Sequence, residues 1–396
     1  MKKAAIYIMV IIFSALFLFL GNMIASGDAM DTDEEFYDVA FYTGVVTRII
    51  DRVEEYQFGF INITVYFEAR ITDRPRQGEI VEGEQHQSNF FLVSPRDVMV
   101  GDRVMLAFDS FGQRYFFADF VRINTVAILG IVFLVLVILF GHMKGFNAIV
   151  ALGLTCLAVF LVFIPAILAG RNIYITTMIV CLFAIVSTLL IVIGPNKKAL
   201  SAMFGCLGGV VIAGALMFFM GGALELTGLV DQETQVLLML PTQNPIDLRA
   251  IIFAGVILGA VGAIMDVAMS IASSLWEVRE AGGITDFGSF VKSGINIGKD
   301  ILGTMLNTLV LAYIGSSLSL LLLINVHTTS YVELFNMEFV IVEFLRALVG
   351  SFGMFLTIPL TALICGWFYS TKDEDYFEEP ENADEFYADY YRRNRR

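Results

Sequence analysis

The stretch Ile251–Glu277, IIFAGVILGAVGAIMDVAMSIASSLWE, decides how this chain is read. A helix crosses a bilayer with about 20 predominantly apolar residues, and this stretch exceeds that length. Stepping from Gly255 at helical spacing meets Gly259, Gly262, Asp266, Ser270, Ser273 and Glu277, all on one face. Glycines let a neighbouring helix approach closely, so a packing seam accounts for Gly255, Gly259 and Gly262. It does not account for Asp266. A carboxyl in a spanning helix costs on the order of 2.5–3.5 kcal/mol on insertion scales, and it faces a polar cavity or a partner. Asp266 is therefore a candidate proton or cation carrier, with a purely structural hydrogen bond as the alternative. Apolar surroundings help a carboxyl that must bind and release a proton near neutrality. Ser270 and Ser273 are placed to hydrogen-bond it or to hold water beside it.

Comparable apolar runs begin near Ile6, Thr125, Asn147, Asn172, Ala199, Arg249, Ile301 and Phe339, which predicts eight spanning helices. The seventh carries a polar strip, Thr304, Asn307 and Thr308. Asn307 is the best partner for Asp266, because its amide donates to a carboxylate or accepts from a carboxylic acid. In the eighth, Glu343 and Arg346 stand at i, i+3 and can pair with each other. Asp300 reads as the start of the seventh helix, Glu225 as the outer end of the fifth, and Pro165 and Pro359 as kinks in helices that continue.

Composition agrees. The 396 residues are 57% hydrophobic and 16% charged, against roughly half and about a quarter in soluble domains, which excludes an ordinary cytosolic enzyme. Long uninterrupted runs with 35 Phe and 34 Gly fit packed helices rather than a transmembrane β-barrel. A net charge of −14 argues against a nucleic-acid partner. Cys156, Cys181, Cys206 and Cys365 all lie in apolar runs, and His86, His142 and His327 are far apart, so neither a disulfide framework nor a metal site is expected. No Ser/His/Asp set, phosphate-binding glycine loop or Gly-x-Gly-Asp motif is present; neither an enzyme nor a cofactor is expected.

The first run, Ala4 to Ala25, extends past Leu20 with no clear A-x-A site, and reads as an uncleaved anchor rather than a signal peptide. With the N-terminus inside, Lys144, Lys197, Lys198, Arg279, Lys292 and Lys299 fall on the cytoplasmic side, and Arg171 and Arg249 on the outer side. Four parts result: an anchor at 1–27, an outer domain at 28–122, a seven-helix membrane core at 123–370 and a disordered acidic cytoplasmic tail at 371–396. In the outer domain, Gly44–Ile49, Phe60–Phe67, Asn89–Val93 and Arg103–Phe108 alternate as strands do, with turns at Asp73–Gly78 and Val100–Asp102. Short strands at this density predict a small closed, OB-like barrel. Phe58, Phe60, Phe90, Phe91, Phe116 and Phe117 read as barrel core, with a binding platform as the alternative.

Leu240-Pro241-Thr242-Gln243-Asn244-Pro245-Ile246-Asp247-Leu248, followed by Gly259 to Ser274, resembles the YibE/F family of bacterial membrane proteins, as does the order of anchor, outer domain and multi-helix core. That resemblance implies a permease-like protein of the bacterial cytoplasmic membrane. A fainter similarity links Asp266, the stretch Glu277-Val278-Arg279-Glu280, the Gly303–Thr308 helix, Gly350 and Pro359 to helices four to six of half a resistance–nodulation–division exporter. Those exporters use intramembrane Asp in proton coupling and build their ion path between two halves. They have six helices per half, against eight here, and the role is carried onto Asp266 alone. The expected fold class is thus an all-α polytopic membrane protein with an inserted all-β domain. The expected function is transporter-like or ion-coupled; a non-transporting envelope scaffold or sensor is the alternative. Expected partners are the lipid bilayer and a second copy of the chain, or a shorter relative lacking the outer domain.

Overall fold

The computed structural model describes residues 2–26, 40–57, 60–88, 96–109, 114–239, 245–282, 286–327 and 330–370. The chain divides into two compact units, residues 31–142 and residues 1–30 with 143–396.

Helix α1 spans Lys2–Ser26. The strands of the first unit follow: β1 Ala40–Gln57, β2 Phe60–Ile71, β3 Ile80–Ser88, β4 Arg103–Asp109 and β5 Arg114–Phe120. They close into a barrel in the order β1-β2-β3-β5-β4. β3 and β5 run parallel and every other pair antiparallel, the OB-like arrangement expected from the alternating strands. Two register shifts in β1, between Val46 and Arg48 and between Ile49 and Asp51, bend the strand as barrel closure requires. Val46, Val65, Phe67, Ala69, Ile71, Val104 and Leu106 fill the interior. Phe67 is fully buried, and it owes its space to Gly83, where a Cβ would lie 2.7 Å from the ring. Phe117 packs against this core, while Phe116 lies beside His86 with ring centroids 5.9 Å apart. Asn89–Val93, Phe58, Phe90 and Phe91 lie outside the described residues, as does the tail.

The helical part continues with α2 Ile123–Ala158, a π-helical turn Val159–Phe163, α3 Ile164–Leu168, α4 Ile173–Val192 and α5 Lys197–Ala223. Then come α6 Gln232–Leu238, α7 Leu248–Glu280, α8 Phe287–Ser316, α9 Leu318–His327, α10 Tyr331–Leu334 and α11 Glu338–Ser370. Among the described residues seven helices are long and apolar enough to cross a membrane, where the sequence predicts eight. The difference lies in Ile123–Leu168, one run of 46 residues. At 1.5 Å per residue such a run exceeds twice the ~30 Å hydrocarbon core. The backbone of His142 (φ 46, ψ −129) breaks it, so each side has the length of one span. Asp300 is not a helix start: α8 begins more than three turns earlier, where the Asp286 carboxylate caps the Ser289 N–H at 2.8 Å.

In the second unit α11 is central, packing against α5, α7 and α8. The contacts are close because glycines face side chains. A Cβ on Gly209 would collide with the Thr357 hydroxyl, one on Gly205 with Thr361, and one on Gly298 with Ile358. Pro359 lies inside α11, and the helix continues through it. This packing fixes which face of α7 is left uncovered.

Candidate functional site

One face of α7 is core. Val256, Ile257, Ala260, Ile264, Val267, Ala268 and Ile271 are fully buried against α5 and α11. The opposite face is the one singled out by helical spacing, and the fold leaves it open. Gly255, Gly259, Gly262, Asp266 and Glu277 are exposed, and Ser270 and Ser273 half-buried. A Cβ on Gly255 or Gly262 would meet nothing within 4 Å. The close approach expected at these glycines is therefore not made within one chain, because the intramolecular seams run through Gly205, Gly209 and Gly298 instead.

Asp266 sits near mid-helix, about 27 Å from Leu248 and about 21 Å from Glu280 at ~1.5 Å per residue. Its carboxylate forms no hydrogen bond or ion pair among the described residues. Ser273 donates weakly to the Met269 sulfur at 3.7 Å rather than to Asp266. On α8, Thr304, Asn307 and Thr308 are exposed. Thr304 and Thr308 donate to the carbonyls of Ile301 and Thr304, each at 2.9 Å, which keeps their hydroxyls on their own helix. No hydrogen bond joins Asn307 to Asp266. The structure brings the predicted groups onto the open faces of two neighbouring helices, and among the described residues the acid has no protein partner.

A family model described as YibE/F-like protein matches residues 129–371, well over half of the chain. The chain belongs to the YibE/F family. The match contains α7, α8 and α11, hence every candidate site residue, and excludes the barrel. No curated protein and no solved structure matches this YibE/F protein.

Toward the Leu248 end of α7 a second polar group appears. Arg346 donates to the Glu343 carboxylate at 2.6 Å, the i, i+3 pair expected from the sequence, and the Ser317 hydroxyl donates to the other Glu343 oxygen at 2.7 Å. Tyr313 of α8 reaches in between α7 and α11. Its hydroxyl lies 3.5 Å from where a Cβ would stand on Gly259 and on Gly350, and it is buried with no hydrogen-bond partner. Tyr313 and Ser317 carry no sequence signal: Tyr313 stands in an apolar run and Ser317 is one of three nearby serines, Ser316, Ser317 and Ser319, and only the helix packing shows where they point. Glu338 is likewise held by the fold, accepting from the N–H groups of Thr227 and Gly228, both at 2.7 Å, and from the Thr227 hydroxyl at 2.6 Å.

In the barrel, a charged and aromatic patch crosses β3 and β5. Glu84 contacts His86 at 3.3 Å and Arg114 at 3.5 Å, and the Phe116 ring stands beside His86. Burial opposes ionisation of Asp102. The Arg96 guanidinium at 2.9 Å and the Met99 N–H at 2.8 Å outweigh it and hold the carboxyl below the usual range.

Proposed function

We propose that this YibE/F protein is an ion-coupled membrane protein of transporter type, with Asp266 as its proton- or cation-responsive group. One observation supports the reading most: a mid-helix carboxyl on the open face of α7, with no partner among the described residues. In hydrocarbon that arrangement is costly, and the cost is relieved by a polar cavity or a contacting helix. Ser270 and Ser273 continue the face on one side of Asp266, and the glycine strip continues it on the other. The polar strip of α8 points the same way: α8 is the least apolar of the seven candidate spans, and its Thr304, Asn307 and Thr308 are exposed. Both features suit a dimer, with a second copy or with a shorter relative lacking the outer barrel. The open faces of α7 and α8 then meet their counterparts and enclose the acid.

The test is ion flux in proteoliposomes carrying the full chain. Under an imposed gradient the parent protein passes protons or small cations, and Asp266→Asn, incorporated at equal abundance, does not. Equal flux in both refutes the coupling role. Loss of the protein itself on substitution assigns Asp266 to structure. The rival, a scaffold or sensor, draws on the Glu84–His86–Arg114–Phe116 patch, in which His86 and Arg114 are exposed. It predicts that Arg114→Ala and His86→Ala abolish the cellular phenotype while Asp266→Asn spares it.

A further inference from the structure

The Glu343–Arg346 pair and Tyr313 have no part in the reading above, yet the packing sets them in line with Asp266. Gly259 and Asp266 lie seven residues apart on one face of α7, about 10 Å along the axis. The Tyr313 hydroxyl touches that face at Gly259. Tyr313 also lines one groove with Ser317 and Glu343. Glu343 in turn holds Ser317, the residue just past the end of α8. Polar groups thus succeed one another from mid-helix to the helix ends, through a strip where Gly255 and Gly262 leave open space. That groove has a volume of about 400 Å³; its other walls, among them Val310, Ile314, Leu321, Phe344 and Leu348, are apolar, so Tyr313, Ser317 and Glu343 are its polar groups.

Resting on the ion-coupling reading, we propose that Tyr313 is the gate of a hydrated proton limb that joins the Glu343–Arg346 pair to Asp266. Among the described residues the Tyr313 hydroxyl is buried with no hydrogen-bond partner, so its donor and its lone pairs are both free for water. A proton moves along by hops between oxygens. Water on the Glu343 side gives a proton to the Tyr313 oxygen as that oxygen gives its own to water on the Gly259 side, and rotation restores the starting hydroxyl. The last water gives its proton to the Asp266 carboxylate. The chemistry favours a proton over a metal cation, because one buried hydroxyl can pass a proton by hopping, whereas a hard metal cation needs several oxygen ligands at once.

The experiment pairs thiol labelling with flux, using the full chain in proteoliposomes. A charged, membrane-impermeant thiol reagent is applied to Gly262→Cys, and to Leu311→Cys on the exposed apolar face of α8 as a lipid-facing control. Modification at each site is read by mass spectrometry, which separates it from the four native cysteines. The limb predicts at least tenfold faster modification at Gly262→Cys, slowed tenfold by adding Tyr313→Trp. Tyr313→Phe keeps the ring and removes the hydroxyl; it should leave labelling unchanged and lower proton flux at least tenfold. Asp266→Asn should abolish flux and leave labelling unchanged, which separates failure of the coupling reading from failure of the limb. Equal labelling at Gly262→Cys and Leu311→Cys overturns the limb, as does indifference of the Gly262→Cys rate to Tyr313→Trp. Parental flux in Tyr313→Phe overturns the relay.

Discussion

Replacing Asp266 by Leu separates a face turned to lipid from a face enclosed by polar contacts. Asp at a helix centre costs about 2.5–3.5 kcal/mol to place in the bilayer, and Leu gains about 0.3–0.6 kcal/mol. The side chain is exposed and lies near mid-helix, so the full difference of about 3–4 kcal/mol applies if lipid surrounds it. A lipid-facing Asp266 therefore makes Asp266→Leu more stable by that amount, two to three powers of ten in the unfolding equilibrium. An Asp266 enclosed in a hydrated contact between two copies gives another result. Leu then meets water and the polar groups of Ser270 and Asn307, so the gain disappears and association weakens. Reversible unfolding in bilayer discs gives the stability, and photobleaching of sparsely labelled protein in vesicles gives the dimer fraction. The account expects a stability change under about 1 kcal/mol and a clear fall in dimer. A gain of about 3 kcal/mol with association unchanged would refute it.

The count of basic residues in the loops predicts a barrel outside and a last helix end inside, so in intact cells a charged thiol reagent should modify Ser88→Cys but not Ser370→Cys; outside labelling of Ser370→Cys would overturn that topology. Residues 28–122 alone should fold as a mainly β unit with a cooperative melt, and Phe67→Ala should cost it about 3–5 kcal/mol, as truncation of a fully buried aromatic does. The same unit should lose stability in acid. Asp102 is depressed in the fold, so its contribution is present above the unfolded value near pH 3.9 and lost as pH falls through the folded one; a melting curve of Asp102→Asn that kept the full acid dependence would remove Asp102 from this role. Gly209→Val should prevent normal accumulation, because its Cβ meets the Thr357 hydroxyl where α5 and α11 touch, whereas Gly262→Ala, with nothing within 4 Å, should accumulate normally; equal abundance of the two would contradict the packing.

Hydrophobic periodicity made the spanning helices, the barrel and the Asp266 face legible, because each depends on local pattern. β3 escaped because its inward positions include Gln85 and Gln87, which are buried and polar. Gln85 is satisfied by the Arg96 carbonyl and the Val98 N–H, contacts made by a distant loop and invisible to alternation. The start of α8 was misplaced because Phe287–Gly298 is polar on one side and reads as a surface stretch, though Phe290, Gly294 and Gly298 bury the other side. The break at His142 was legible as the point between the runs that begin near Thr125 and Asn147, where Lys144 interrupts the apolar pattern; that the two helices join there without a longer loop was not. Glycine spacing on α7 fits close packing and open space equally well. Only the positions of α5 and α11 show that open space is what it marks, and that Tyr313 borders it.

The central claim, that Asp266 exchanges protons with water in the assembled protein, is tested most directly by infrared difference spectroscopy. The full chain is held in lipid bilayers and titrated through the surrounding water. The account predicts a protonated-carboxyl band that appears on acidification, disappears on return, and is missing in Asp266→Asn at equal protein density. A spectrum with no such band, or with the same band in Asp266→Asn, would contradict it.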